Sequence, residues 1–130
     1  MLRLKQIHWL QSLEECKMAR FDQRSGSLYI TDLGRVASHY YIKHDSILVI
    51  NNLLKEQMSP SRIINMIASC SEFESQQLRE EEVPELEELR RKYCEVGVIA
   101  VNEKGHVEKT GKVEVLLQVG LARTLLPCQS

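Results

Sequence analysis

The chain has 130 residues, a formal net charge of −1, 43% hydrophobic residues and only 5% aromatic residues. That length suffices for a domain with its own core, while the near-zero charge excludes a strongly basic nucleic-acid binder, whose affinity rests on clustered Lys and Arg. Charge is uneven: residues 1–44 carry seven Lys and Arg against four acids, and residues 72–95 carry nine Glu against four Lys and Arg. Any face for nucleic acid is therefore expected in the N-terminal part.

Residues 2–15 supply at most one helix. Met18-Ala19-Arg20-Phe21-Asp22 and Ser27-Leu28-Tyr29-Ile30 flank Gln23-Arg24-Ser25-Gly26, which reads as a β-hairpin with Gly at a turn position. Thr31 or Asp32 can cap the helix that follows, Gly34 permits close approach of another backbone, and Val36, Ala37, Tyr40 and Tyr41 fall at spacings that fill one helix face. Tyr40 and Tyr41 are its largest side chains, so at least one is expected to be buried as a structural anchor, with Gly34 as the second structural element. A hairpin that runs straight into a helix is the wing of a winged-helix module. Arg20 and Arg24 on that wing, with Arg35 and Lys43 nearby, form the basic cluster such a fold would aim at phosphates.

Beyond the hairpin the periodicity is helical. Asp45 or Ser46 can cap a helix with Ile47, Ile50, Leu53 and Leu54 on one side, and Ser59-Pro60 opens another, Pro being suited to the first helical position. Ile63, Ile64, Met66, Ile67 and Cys70 form a broad apolar stripe, read as bundle core. Residues 80–88 are rich in carboxylates and lead through Pro84 to Leu86, Leu89 and Tyr93, with Arg90, Arg91 and Lys92 closing the helix. Acid early and base late complements the helix dipole, so the charge run reads as a solvated helix.

The pattern fails at residues 96–112, where Asn102-Glu103-Lys104-Gly105-His106 reads as a loop that can include a short hairpin. Gly105 to Lys112 is superficially like a phosphate-binding loop, but its glycines are one residue too far apart and Lys112 is followed by Val113 where Ser or Thr would hold magnesium. It reads as a coincidence in a turn. Val113, Leu116, Leu117 and Leu121 then suggest another bundle helix. Cys16, Cys70, Cys94 and Cys128 are far apart with no C-x-x-C pair, so free, mostly buried thiols are expected and no metal site. His8, His39, His44 and His106 are isolated, and His39 beside tyrosines reads as structural. No catalytic residue emerges, and no apolar run reaches membrane-spanning length.

Lys17 to Gly26, the run Thr31-Asp32-Leu33-Gly34-Arg35-Val36-Ala37-Ser38-His39-Tyr40-Tyr41-Ile42-Lys43, Ser71-Glu72-Phe73 and Leu78-Arg79-Glu80-Glu81-Glu82 together resemble the segment that follows the motor domains of the large DExH nucleic-acid helicases of superfamily 2. The likeness covers about residues 13–117. Asp32, Lys43 and the basic, Gly-containing wing make it stronger toward the activating signal cointegrator complex branch than toward the spliceosomal one. Lys112-Val113-Glu114-Val115-Leu116-Leu117-Gln118 also resembles the family, and after Gly120 the likeness stops.

The resemblance implies a mainly α chain with one β-hairpin: the end of a winged helix followed by an incomplete helical bundle. Residues 1–43 would be the partial winged helix, 44–122 the start of the bundle with a loop at 96–112, and 123–130 a divergent tail. It further implies a non-catalytic, severed piece of an ATP-dependent helicase that braces the motor around single-stranded DNA or RNA. Its partners would be the motor domains, a weakly held single strand and other subunits of a helicase complex, in the nucleus with the cytosol as a second location. ATP and Mg would serve the parent's motor, and no cofactor is expected in this chain. The alternative is a small helical protein-interaction module of a helicase-containing complex, without nucleic-acid contact. An independent winged-helix DNA binder fits less well, because a recognition helix within residues 2–16 would have only Arg3, Lys5, Gln6 and Gln11 to present.

Overall fold

The structure, a computed structural model, describes residues 4–125 and is mainly helical with one two-stranded hairpin. Residues 126–130 of the expected tail, Cys128 among them, lie outside the described residues. The chain divides into two compact units between Leu53 and Leu54, each with its own core.

The first unit contains α1 (Leu4–Glu15), β1 (Ala19–Asp22), β2 (Ser27–Ile30), α2 (Asp32–His39) and α3 (His44–Leu53). Helix α1 stops in a left-handed turn: Lys17 has φ 57°, Lys17 N donates to Glu14 O at 2.9 Å, and Met18 N donates to Leu13 O at 3.0 Å, the Schellman pattern that satisfies the last carbonyls of a helix. Glu14 then accepts the Phe21 amide at 2.9 Å and ties β1 to α1. The strands pair antiparallel with Ala19 opposite Ile30 and Arg20 opposite Tyr29. Their turn is fastened by Asp22, whose carboxylate accepts Ser25 Oγ at 2.7 Å and the Arg24 amide at 3.0 Å. Those two donors, Ser25 first, hold its carboxyl below the usual range.

Thr31 caps α2 by accepting the Gly34 amide at 3.1 Å while its hydroxyl donates to Lys17 O at 2.6 Å. The helix sits so close to the chain behind it that a Cβ on Gly34 would stand 2.0 Å from Met18 O. Cys16, Ala37 and Ile47 form the core, with Met18, Leu33 and Ile42 around them. Because Ile47 belongs to this core and Asn51 donates to Cys16 O at 2.8 Å, α3 is part of the first unit, one helix beyond the joint expected at Lys43. Helix α3 starts at His44, so Asp45 and Ser46 lie inside its first turn and are not its caps.

The second unit contains α4 (Pro60–Ala68), short 3₁₀ turns at Ser71–Phe73 and Glu80–Glu82, α5 (Val83–Tyr93) and α6 (Lys109–Leu125). Ser59 caps α4 by accepting the Arg62 amide at 3.4 Å, with Pro60 at the start of the helix. Helix α6 packs against both α4 and α5. Leu86, Val98, Val107 and Val115 form the core, with Leu78, Leu89 and Val119 against them. The residues between α5 and α6 run as an extended strap with an antiparallel bridge between Val101 and Val107. The loop expected at 96–112 is shorter than that, because Lys109 to Lys112 already belong to α6. Gly111 is required there by contact: a Cβ would stand 2.2 Å from Ala100 O.

The apolar faces are only partly covered, and one expectation about buried side chains is corrected. Of the α4 stripe, Met66 and Cys70 are buried but Ile63 and Ile67 are exposed, as are Leu116 and Leu121 on α6. The inward side of α6 instead carries Val113, Glu114, Val115 and Gln118. Likewise neither Tyr40 nor Tyr41 is buried, their exposures being 69% and 92%. The physical reason is that α2 ends at His39: Tyr41 takes φ 55°, Ile42 N turns back to Ala37 O at 2.8 Å, and Ile42, not a tyrosine, enters the core.

Candidate nucleic-acid interface

The four cations expected to meet phosphates are all exposed in the first unit. Arg20 and Arg24 share the hairpin, one on β1 opposite Tyr29 and one in the turn. Arg35 lies on α2, where it approaches Asp32 at 3.6 Å with both side chains in solvent, a pairing of little strength. Lys43 occupies the short link into α3 and its carbonyl accepts the amides of Ser46 and Ile47. The hairpin thus holds one pair, while Arg35 lies in the middle of α2 and Lys43 in the link beyond it. Around the helix, Tyr29, Val36, Tyr40 and Tyr41 are also exposed. His39 is exposed and lies edge-on to Tyr40, ring centroids 4.9 Å apart.

The phosphate-loop-like string in the second unit is committed to structure. Lys112 Nζ donates to Glu82 at 2.6 Å and to Gln77 O at 2.8 Å, and Lys109 Nζ donates to Glu74 O at 2.8 Å. Both lysines therefore clamp residues 74–82 onto the start of α6. The Lys112 ammonium, followed by the Arg79 amide, holds the Glu82 carboxyl below its usual range.

Buried Glu114 and half-buried Glu87 and Arg90 are equally occupied. Glu114 accepts from Asn65 of α4 and from the Ile99 amide, the latter at 2.7 Å. Glu87 accepts the Val107 amide at 3.2 Å, and Arg90 donates to Gly105 O at 3.3 Å. Through these bonds the side chains hold the backbone of the strap, and Glu114 also holds α4. Burial pushes the thiols of Cys16 and Cys94 up, away from the thiolate a nucleophile needs. Among the described residues there is no cluster of His, Cys, Asp and Glu that could hold a metal ion, and no helix long and apolar enough to cross a membrane.

Residues 30–130, from the end of the hairpin through the capped helix and the second unit, match the profile of the Sec63 Brl domain. The chain belongs to that family. It is 47% identical over 87% of its length to the DExH-box ATP-dependent RNA helicase DExH14 of Arabidopsis thaliana. It is 42% identical over 90% of its length to activating signal cointegrator 1 complex subunit 3 of Dictyostelium discoideum, and 35% identical over 88% to the U5 small nuclear ribonucleoprotein 200 kDa helicase of Drosophila melanogaster. In each case the chain spans about 5% of the relative's length. The likeness to a segment of large DExH helicases, on the cointegrator side, thus holds across nearly the whole sequence.

Proposed function

We propose that the chain is a non-catalytic accessory segment of an ATP-dependent DExH helicase, in which it helps brace the motor around single-stranded DNA or RNA. The observation that carries the reading is the similarity of 87–88% of the chain to proteins named as helicases. The hairpin leading into a capped helix serves as the wing of a winged module, and Arg20, Arg24, Arg35 and Lys43 meet phosphates. Magnesium and ATP act in the motor of the parent protein, whose place of work is the nucleus, with the cytosol second. Four cations release few counterions and an acidic stretch follows in the same chain, so binding by the isolated chain is weak: a dissociation constant of roughly 10⁻⁴ M or worse at physiological salt. The test is a titration of labelled single-stranded DNA and RNA at two salt concentrations, with wild type and with Arg20→Ala/Arg24→Ala. Weak binding that fades with salt and with the substitutions supports the reading; tight, salt-resistant binding indifferent to them contradicts it.

A second reading is favoured by the exposed apolar residues Ile63, Ile67, Leu116 and Leu121 of the second unit. Here the chain is a small helical protein-interaction module of a helicase-containing complex, with no nucleic-acid contact. Absence of any strand binding at low salt, together with capture of a helicase subunit that Ile67→Lys abolishes, would select it.

A further inference from the structure

Leu54 to Gln57, between α3 and α4, are exposed and lie outside any helix or strand, and Ser59 and Pro60 are exposed just beyond them. Ser59 is followed directly by Pro60 and, after Ser61, by Arg62. Of the three prolines in the chain, Pro84 follows Val83 and Pro127 follows Leu126, so Ser59 is the one hydroxyl residue that precedes a proline. A serine before proline, with a cation two places further on, is a pattern that a Ser/Thr protein kinase can read.

The geometry suits that reader. Proline keeps the residue before it out of the helical region, and Ser59 stands extended, at φ −68° and ψ 152°. Its hydroxyl gives up little by leaving the helix, because the cap bond from the Arg62 amide is long at 3.4 Å. Pro60 brings no N–H that an enclosing cleft would have to satisfy. Arg62 is exposed in the first turn of α4, whereas Ser61 is half-buried, with its Oγ 3.1 Å from that of Ser59.

We propose that Ser59 is a phosphorylation site for a proline-directed Ser/Thr kinase that also selects the cation at Arg62. In that step the γ-phosphoryl group of ATP passes to Ser59 Oγ: the bond to the ADP oxygen breaks, the Oγ–P bond forms, and the hydroxyl proton goes to the base of the kinase. The product is a phosphate at the N-cap of α4. There it faces the amide end of the helix dipole and the Arg62 side chain, since the N-cap and the third helical position are the pair that meets in a capping box. Modification therefore firms the start of α4 and does not melt it. The site is independent of the nucleic-acid reading.

The test incubates the full chain with Mg-ATP and a purified kinase of that specificity, follows incorporation by intact mass and assigns the position by fragmentation. Ser59→Asn keeps a capping oxygen while removing the acceptor hydroxyl, and Pro60→Ala keeps a good helix former at the start of α4, so both separate recognition from folding. Wild type should take up phosphate at Ser59 and Ser59→Asn should take none. Pro60→Ala and Arg62→Ala should each lose most of the initial rate. The phosphorylated chain should melt a few degrees above the unmodified one at low salt, the difference shrinking as salt is added. An unmodified Ser59, whether or not Ser61 or another residue takes phosphate, would overturn the site, as would a rate that either Pro60→Ala or Arg62→Ala leaves intact. A lower melting temperature after modification would overturn the strengthened cap.

Discussion

Gln118 grips Val96 through both ends of its amide: Nε2 donates to Val96 O at 3.0 Å while Oε1 accepts Val96 N at 3.2 Å. One buried side chain of α6 thereby does for the strap what a neighbouring strand would do. Gln118→Ala leaves both backbone groups without that partner and should lower the stability of the second unit by about 1–3 kcal/mol. Gln118→Glu, which removes the donor and buries a carboxylate, should cost at least as much. The denaturant midpoint and the exchange rate of the Val96 amide check this, the latter rising in both variants.

Tyr41 sets a different expectation. A tyrosine in the left-handed region costs about 1–2 kcal/mol that glycine does not, and its side chain is nearly all in water. Part of that gain is offset by the freedom glycine has in the unfolded chain, so Tyr41→Gly should stabilise the first unit by about 0.5–1 kcal/mol. His39→Gly, inside α2, should destabilise by about as much. Thermal denaturation of the two variants beside wild type gives opposite shifts if the turn is as described.

The Glu82–Lys112 pair makes acid stability informative. Its carboxyl is held low in the folded chain, chiefly by the Lys112 hydrogen bond, so the unfolded chain takes up the proton first as pH falls. The stabilisation is present above the ordinary carboxylate range and is lost as pH drops through the folded value. Glu82→Gln should therefore be less stable than wild type near neutrality, and the two should converge in acid. Urea denaturation across that pH range measures the gap; a constant gap would mean the pair contributes no charge-dependent stability.

Glycines at two kinds of place should behave oppositely. At Gly34 a methyl group would strike Met18 O, so Gly34→Ala should cost about 1–3 kcal/mol or unfold the first unit. At Gly120, on the exposed side of α6, nothing lies within 4 Å of an added Cβ, and Gly120→Ala should gain about 0.5–1 kcal/mol. Melting curves of the two variants decide the matter.

Local chemistry was legible in the sequence and long-range satisfaction was not. The hairpin and the Thr31 and Ser59 caps follow from residues that act within a few positions of themselves, and Gly34 was legible as a place of close approach although the backbone it meets, at Met18, was not. The tyrosines misled because counting along a helix face assumes that the helix continues, whereas the turn after His39 sends Tyr40 and Tyr41 off the end and Ile42 inward. Similarly, Gly111 next to two lysines reads as loop, yet it lies in α6 because the Ala100 carbonyl closes on it. No sequence pattern marks Glu114 and Gln118 as inward-facing. They are buried because Val96 and Ile99, which precede the Val101–Val107 bridge, have their backbone groups satisfied by side chains of α6. The exposure of Arg20, Arg24, Arg35 and Lys43 follows from their charge, whereas the exposure of Tyr40 and Tyr41 does not follow from their spacing.

The account stands or falls on whether this segment serves strand handling and not the ATP chemistry. The direct measurement places this chain's sequence in the matching segment of a full-length DExH relative and compares wild type with Arg20→Ala/Arg24→Ala for ATP hydrolysis without nucleic acid and for strand unwinding. The prediction is unchanged basal hydrolysis with unwinding reduced several-fold, more so at higher salt. Unwinding that survives the substitutions intact, or basal hydrolysis that falls in step with it, would contradict the claim.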